Sequence, residues 1–204
     1  TIGQGLDEMD KIAKETLDDT FRTALTGDSK EYRESSSSLM FAFVLAILLI
    51  YLILAAQFES FKDPLIIMLT VPLAIAGALI FMYFNDITMN IFSQIGIIML
   101  IGLVAKNGIL IVEFANLKQE AGEDKMEAIK DASLQRLRPI LMTSASTILG
   151  LIPLAFASGE GCNQRIAMGT AVVGGMLVST FLTMYIVPAI YSYVSTNRSK
   201  LKKS

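Results

Sequence analysis

The chain has 204 residues, 53% of them hydrophobic and 18% charged, with a formal net charge of −2. That balance indicates a polytopic membrane protein and no nucleic-acid partner, because the charges sit in a few segments between long apolar runs. The lack of His removes imidazole metal sites and His-based proton relays from this chain, and the lone Cys162 cannot form an intrachain disulfide.

Residues 1–37 are polar, with five Lys/Arg and nine Asp/Glu. Leu6, Met9, Ile12, Ala13 and Leu17 recur at helical spacing and predict a short amphipathic helix near 6–17. Phe21, Thr23 and Leu25 alternate, which predicts a strand near 20–26 closed by Thr26-Gly27-Asp28. One helix and one strand cannot bury a core, so 1–37 reads as a small α+β remnant of a soluble domain. The start at Thr1 likewise reads as a piece of something longer.

Residues 38–194 read as a transmembrane domain with five spans, near 39–58, 64–84, 91–116, 139–158 and 165–194. Each meets the roughly 20 residues needed to cross about 30 Å of hydrocarbon. Ser35–Ser38 offer a cap for the first, Asp63-Pro64 a start for the second and Asn90 a cap for the third. Pro72, Pro153 and Pro188 predict kinks or unwound turns inside spans. Recurrent small residues (Ala74, Gly77, Gly102, Gly108, Gly169, Gly174, Gly175) suit close helix packing. Residues 117–138 form a loop in which 124–137 predicts an amphipathic helix lying along the membrane surface, and 195–204 is a basic tail.

Lys62, then Lys118, Lys125, Lys130, Arg136 and Arg138, then Arg198, Lys200, Lys202 and Lys203 fall on one side of an alternating topology. The loops 85–90 and 159–164 hold no Lys or Arg. The basic side is therefore expected in the cytoplasm, with the N-terminus outside and the C-terminus inside.

Lys106 carries the chemistry. It lies inside the third span, about ten residues or about 15 Å from the basic end, too deep for its side chain to reach water fully. A charge at that depth costs at least about 2.5–3.5 kcal/mol, so it calls for a partner or a solvated pathway. Glu113 lies on the same helical face but two turns away, and no Asp or Glu occupies the apolar interior of the other four spans. A lysine facing buried carboxylates would lower their pKa values, and protonating them would release it, a direct route to proton coupling. Asn107 stands next to it and could orient it. Arg136 and Thr143, seven apart, share one face if helix continues through Pro139, and Thr143, Ser144, Ser146 and Thr147 put hydroxyls early in the fourth span. Helix-to-helix hydrogen bonding and membrane anchoring are the competing uses of these groups. No phosphate loop, nucleophile elbow or metal-ligand spacing occurs, so no enzyme is expected.

Four segments then resemble a known family: Phe58-Glu59-Ser60-Phe61-Lys62-Asp63-Pro64, Val71-Pro72-Leu73-Ala74, Gly102 through Ala115 with its Ala-Lys-Asn-Gly-Ile-Leu-Ile-Val-Glu-Phe run, and Arg136 through Ser144. Together they resemble the resistance-nodulation-division (RND) efflux transporters, more narrowly the hydrophobe/amphiphile efflux branch. The resemblance implies an all-α polytopic membrane protein that is the C-terminal part of a twelve-helix transporter, led by the end of a periplasmic porter domain. It implies a proton relay of Lys106, Arg136 and Thr143, with Asn107 in support, facing an acidic pair on an N-terminal half outside this sequence. It implies drug/proton antiport with no cofactor beyond the proton gradient, a homotrimer in the bacterial inner membrane, and a periplasmic adaptor and outer-membrane channel as partners. The alternatives are an exporter of metals or lipids, against which the Lys106 neighbourhood argues although substrate choice lies in domains outside this sequence, and an accessory membrane subunit without transport, which an acidic partner for Lys106 would decide.

Overall fold

The computed structural model describes residues 2–18, 20–159 and 161–195, and every regular element among them is an α-helix. In chain order these are α1 (Ile2–Thr16), α2 (Asp28–Phe58), α3 (Lys62–Met68), α4 (Thr70–Phe84), α5 (Ile91–Glu120), α6 (Lys125–Ala155) and α7 (Cys162–Val194). Five segments are long and apolar enough to cross a membrane: Leu39–Phe58, Lys62–Phe84, Ile91–Glu120, Lys125–Ala155 and Cys162–Val194. The number agrees with the sequence, and the chain is an integral membrane protein by this measure.

The details differ in instructive ways. Residues 20–26 form no strand. A lone strand has nothing to pair with, and no partner strand exists among the described residues. Helix α2 starts at Asp28 and runs through Ser35–Ser38, so those serines cannot cap it. An Arg33–Asp10 ion pair ties this early part of α2 to α1. Helix α3 starts at Lys62, one residue before the expected cap Asp63. The Ser60 hydroxyl accepts from the Lys62 and Asp63 amides at 3.3 and 3.4 Å, so the carboxylate is not needed there and turns inward.

The second span is interrupted for one residue at Leu69, between α3 and α4, where the backbone keeps right-handed helical dihedrals and the Leu69 amide still donates to the Leu65 carbonyl at 3.2 Å. Pro72 has no N–H to give the Met68 carbonyl, and its ring crowds that turn. The Thr70 hydroxyl adds a competing bond there by donating to the Ile67 carbonyl at 2.7 Å. Pro139 does not have this effect. Helix α6 passes straight through it, so the surface helix expected at 124–137 and the fourth span are one 31-residue helix, capped by Asp124. Asn90 caps α5 as expected, within a reciprocal box in which the Ser93 amide donates to Asn90 Oδ1 at 2.8 Å and the Asn90 amide to Ser93 Oγ at 2.9 Å.

Helix α7 is the centre of the bundle, packed on α3, α4, α5 and α6. Glycines make this closeness possible: a Cβ on Gly77 would stand 2.6 Å from Val178 Cβ, and one on Gly174 2.2 Å from Phe81 Cβ. One buried cluster (Ala74, Met82, Leu100, Val172, Met176) fills the end opposite the basic loops. A second (Ile66, Ile111, Val112, Ile140, Tyr191) fills the basic end. Between them lies the level of Lys106.

Candidate functional site

Helices α5 and α6 are joined by a short turn and run antiparallel, and three side-chain contacts fix their register. At the turn, the Lys118 ammonium bridges Glu123 at 2.8 Å and Asp131 at 2.7 Å. Further along, the Arg136 guanidinium stacks on the Phe114 ring, 4.4 Å from its centroid. Deeper still, Asn107 Nδ2 donates to Ser144 Oγ at 3.2 Å, with both residues buried. This last bond holds the residues that precede each partner, Lys106 and Thr143, at one depth on neighbouring helices.

The four sequence-predicted residues are therefore placed as follows. Lys106 is half-buried and has neither a hydrogen bond nor an ion pair among the described residues. Asn107 is fully buried, and its Oδ1 has no donor. Thr143 is exposed and gives its hydroxyl to the Ile140 carbonyl at 3.2 Å. Arg136 lies seven residues before Thr143, about 10 Å nearer the basic end, and its Nε is buried without an acceptor. The helices bring Lys106, Asn107, Ser144 and Thr143 to one level and leave Arg136 two turns away.

Helix α7 runs parallel to α5, with Leu100 against Gly175 and Asn116 against Tyr191. That register brings Thr180 and Thr183 to the level of Lys106 and Asn107, and both hydroxyls are buried without partners. The result is a polar layer in the middle of an apolar bundle, with one ammonium and several unfilled donor and acceptor positions. Such a layer suits a carboxylate arriving from another helix, or water bridging to one. Glu113 does not serve: it is exposed and two turns from Lys106. No cluster of three or more metal-ligating side chains occurs among the described residues.

A second polar cluster, at the basic end, escaped the sequence reading. Asp63, 2% exposed, accepts from Asn116 Nδ2 at 3.1 Å and from Ser195 Oγ at 3.2 Å. The Tyr191 hydroxyl donates to Asn116 Oδ1, and Gln119 Nε2 donates to that hydroxyl at 2.8 Å. Asn116 and Gln119, three apart on one face of an apolar helix, were its signal in the sequence. So were Tyr191 and Ser195, four apart.

Residues 1–195 match the AcrB/AcrD/AcrF family. The chain is 38% identical over 206 aligned residues to an uncharacterised transporter of Haemophilus influenzae, covering 98% of this chain and 20% of that protein. It is 41% identical over 196 residues to the toluene efflux pump membrane transporter TtgB of Pseudomonas putida, covering 96% and 19%. It is 40% identical over 180 residues to the multidrug resistance protein MdtF of Escherichia coli, covering 88% and 17%. The chain thus spans about a fifth of the length of these relatives.

Proposed function

The chain belongs to the AcrB/AcrD/AcrF family of RND efflux transporters, and from that premise we propose that it is the C-terminal part of a proton-driven exporter of drugs, solvents or other amphiphiles. The observation that carries this reading is Lys106, a half-buried ammonium at mid-span with no anion near it among the described residues. A charge in that position calls for a carboxylate from elsewhere in the protein or a solvated pathway to one. The missing partner is an acidic pair on a helix of the N-terminal half, facing the polar layer.

The coupling follows from electrostatics. With the carboxylates ionised, Lys106 holds them and the helices close together. Protonation from outside removes that attraction, and the ammonium shifts toward other acceptors such as Asn107 Oδ1 and Thr143. Because Asn107 is bonded to Ser144 and α5 is packed along α7, a shift at Lys106 displaces α5, α6 and α7 rather than one side chain. Arg136, stacked on Phe114 nearer the basic end, stands on the way out to the cytoplasm. The names of TtgB, a toluene efflux pump membrane transporter, and of MdtF, a multidrug resistance protein, support the substrate class. A homotrimer in the inner membrane, working with a periplasmic adaptor and an outer-membrane channel, completes the proposal, with the N-terminus of this chain periplasmic and its C-terminus cytoplasmic.

The test is Lys106→Ala in the intact transporter, reconstituted in vesicles with an imposed proton gradient. Gradient-driven efflux is expected to vanish while the protein still inserts and melts cooperatively. Efflux at the unsubstituted rate would refute the coupling role.

A further inference from the structure

We propose that Asp63 is a positioning residue for transport: with Asn116, Tyr191, Gln119 and Ser195 it forms a polar latch that sets the depth of α5, and so of Lys106, relative to α3 and α7. The inference rests on the proton-coupled reading of Lys106 above.

The latch joins three helices and the residue that follows the last of them. Asp63 comes from α3, Asn116 and Gln119 from α5, Tyr191 from α7 and Ser195 from just beyond it. Lys125, at the start of α6, adds a bond from Nζ to the Ser195 carbonyl at 2.7 Å. Asn116, Gln119, Tyr191 and Ser195 are each no more than 6% exposed. Amide, hydroxyl and carboxylate groups buried this far are expensive unless every bond is made. The chain of bonds from Ser195 through Asp63, Asn116 and Tyr191 to Gln119 closes in one relative placement of α3, α5 and α7, and a slip of one residue breaks it. Apolar packing alone would tolerate such sliding more readily; a bonded polar chain specifies the register.

Pro72 removes one helical bond at the junction of α3 and α4, so α3 takes its position from α5 as well as from α4. It rests on α5 at the Asp63–Asn116 bond and at Gly108, where an added Cβ would stand 3.2 Å from Ile67 Cγ2. Gly108 is two residues from Lys106. Asn116 is ten residues further along the same unbroken helix, so an axial shift at the latch reaches Lys106 undiminished. Shifts of about 1–2 Å are the usual amplitude of helix movements in switching proteins. A misplacement of about 1 Å is enough to cost a reacting group a large part of its rate.

The test compares Asp63→Ala with the exchange D63N/N116D in the full-length transporter. The exchange moves the amide donor to α3 and the carboxylate to α5, and leaves acceptors in place for the Ser195 and Tyr191 hydroxyls. Maximal gradient-driven efflux should fall about tenfold in D63A while the half-saturating substrate concentration stays within about twofold. The exchange should restore at least half of the lost rate. Melting temperatures of both proteins separate rate loss from unfolding. An unchanged maximal rate in D63A overturns the proposal. So does an exchange variant whose melting temperature recovers while its rate stays as low as that of D63A. If Lys106→Ala abolishes efflux and D63A does not alter it, only the latch fails. If the unsubstituted protein shows no gradient-driven efflux, the coupling reading fails and the latch's role in transport goes with it.

Discussion

Gly169→Ala is the sharpest test of the packing that holds α6 in place. A Cβ at position 169 would stand 2.6 Å from the Ala155 nitrogen, 2.8 Å from Ala155 Cα and 2.8 Å from the Leu154 carbonyl carbon. All three are backbone atoms at the last turn of α6, so no side chain can rotate away. Overpacking of this kind costs about 1–3 kcal/mol, and a backbone neighbour places it at the upper end. The substitution also gains about 1 kcal/mol, because alanine is a better helix former than glycine. The net loss is about 2 kcal/mol, or about 4–8 °C in melting temperature for a chain of this size. Gly102→Ala has the opposite sign. Nothing stands within 4 Å of its Cβ, so only the helix gain of about 1 kcal/mol remains, raising the melting temperature by about 2–4 °C. Gly175→Ala should fall between them, since the closest atom, Leu100 Cδ2 at 2.2 Å, belongs to a side chain that can move. The assay is thermal unfolding of the 204-residue chain in detergent, followed by helical circular dichroism. A Gly169→Ala protein that melts at or above the parent would refute the close α6–α7 crossing, and equal shifts for positions 169 and 102 would refute the whole ranking.

Other residues make further claims. Asn90→Ala removes one half of the α5 capping box and should lower stability by about 1 kcal/mol, seen as a melting shift of a few degrees; no shift would mean that the box adds nothing. Arg136→Lys and Phe114→Leu both dissolve the stack between α5 and α6, so each should slow efflux, and the double variant should be no slower than the worse single one; additive losses would show that the two act apart. The Arg33 guanidinium is held above its ordinary range, first by its hydrogen bond to Asp10 and then by that carboxylate's charge. A cation raised on folding stabilises throughout the range below its unfolded pKa, and that stability is lost only as pH rises through the folded value. Hydrogen-exchange protection of α1, corrected for intrinsic rates, should therefore stay constant from about pH 7 to 10 and weaken in about 1 M salt, and a loss confined to mild alkali would contradict the pairing.

The sequence showed the spans because apolar length is a one-dimensional property, and Asn90 because a cap is made with residues three positions away. The strand at 20–26 was misread because alternation in a short segment says nothing about whether a partner strand exists. Pro72 and Pro139 look alike in sequence, yet only the first accompanies an interruption of its helix. Thr70 supplies the competing hydroxyl at the first site, whereas α6 absorbs the loss of one bond in a long unbroken helix. Asp63 was the largest miss. Next to a proline it reads as a cap, and only the fold shows that Ser60 serves the amides and that the carboxylate meets Asn116, 53 residues away. Contacts of that sequence separation carry no local signal.

The same distinction explains why Lys106 was visible and its orientation was not. Depth within a span can be counted along the chain, but facing cannot. Asn107 and Ser144 are buried and bonded to each other, so they mark the seam between α5 and α6. Each helical residue is turned about 100° from the one before it. Lys106 and Thr143 are therefore rotated off that seam, and they are the half-buried and exposed members of the two adjacent pairs. The apolar windows of α5 and α7 are 56% buried within the bundle, whereas that of α6 is 11% buried. Lys106 and Thr143 thus border the open side of α6, whereas Thr180 and Thr183 carry the same layer into the packed side at α7. An acidic helix that docks there would meet the ammonium and the Thr143 hydroxyl together, without disturbing the Asn107–Ser144 bond that holds them level.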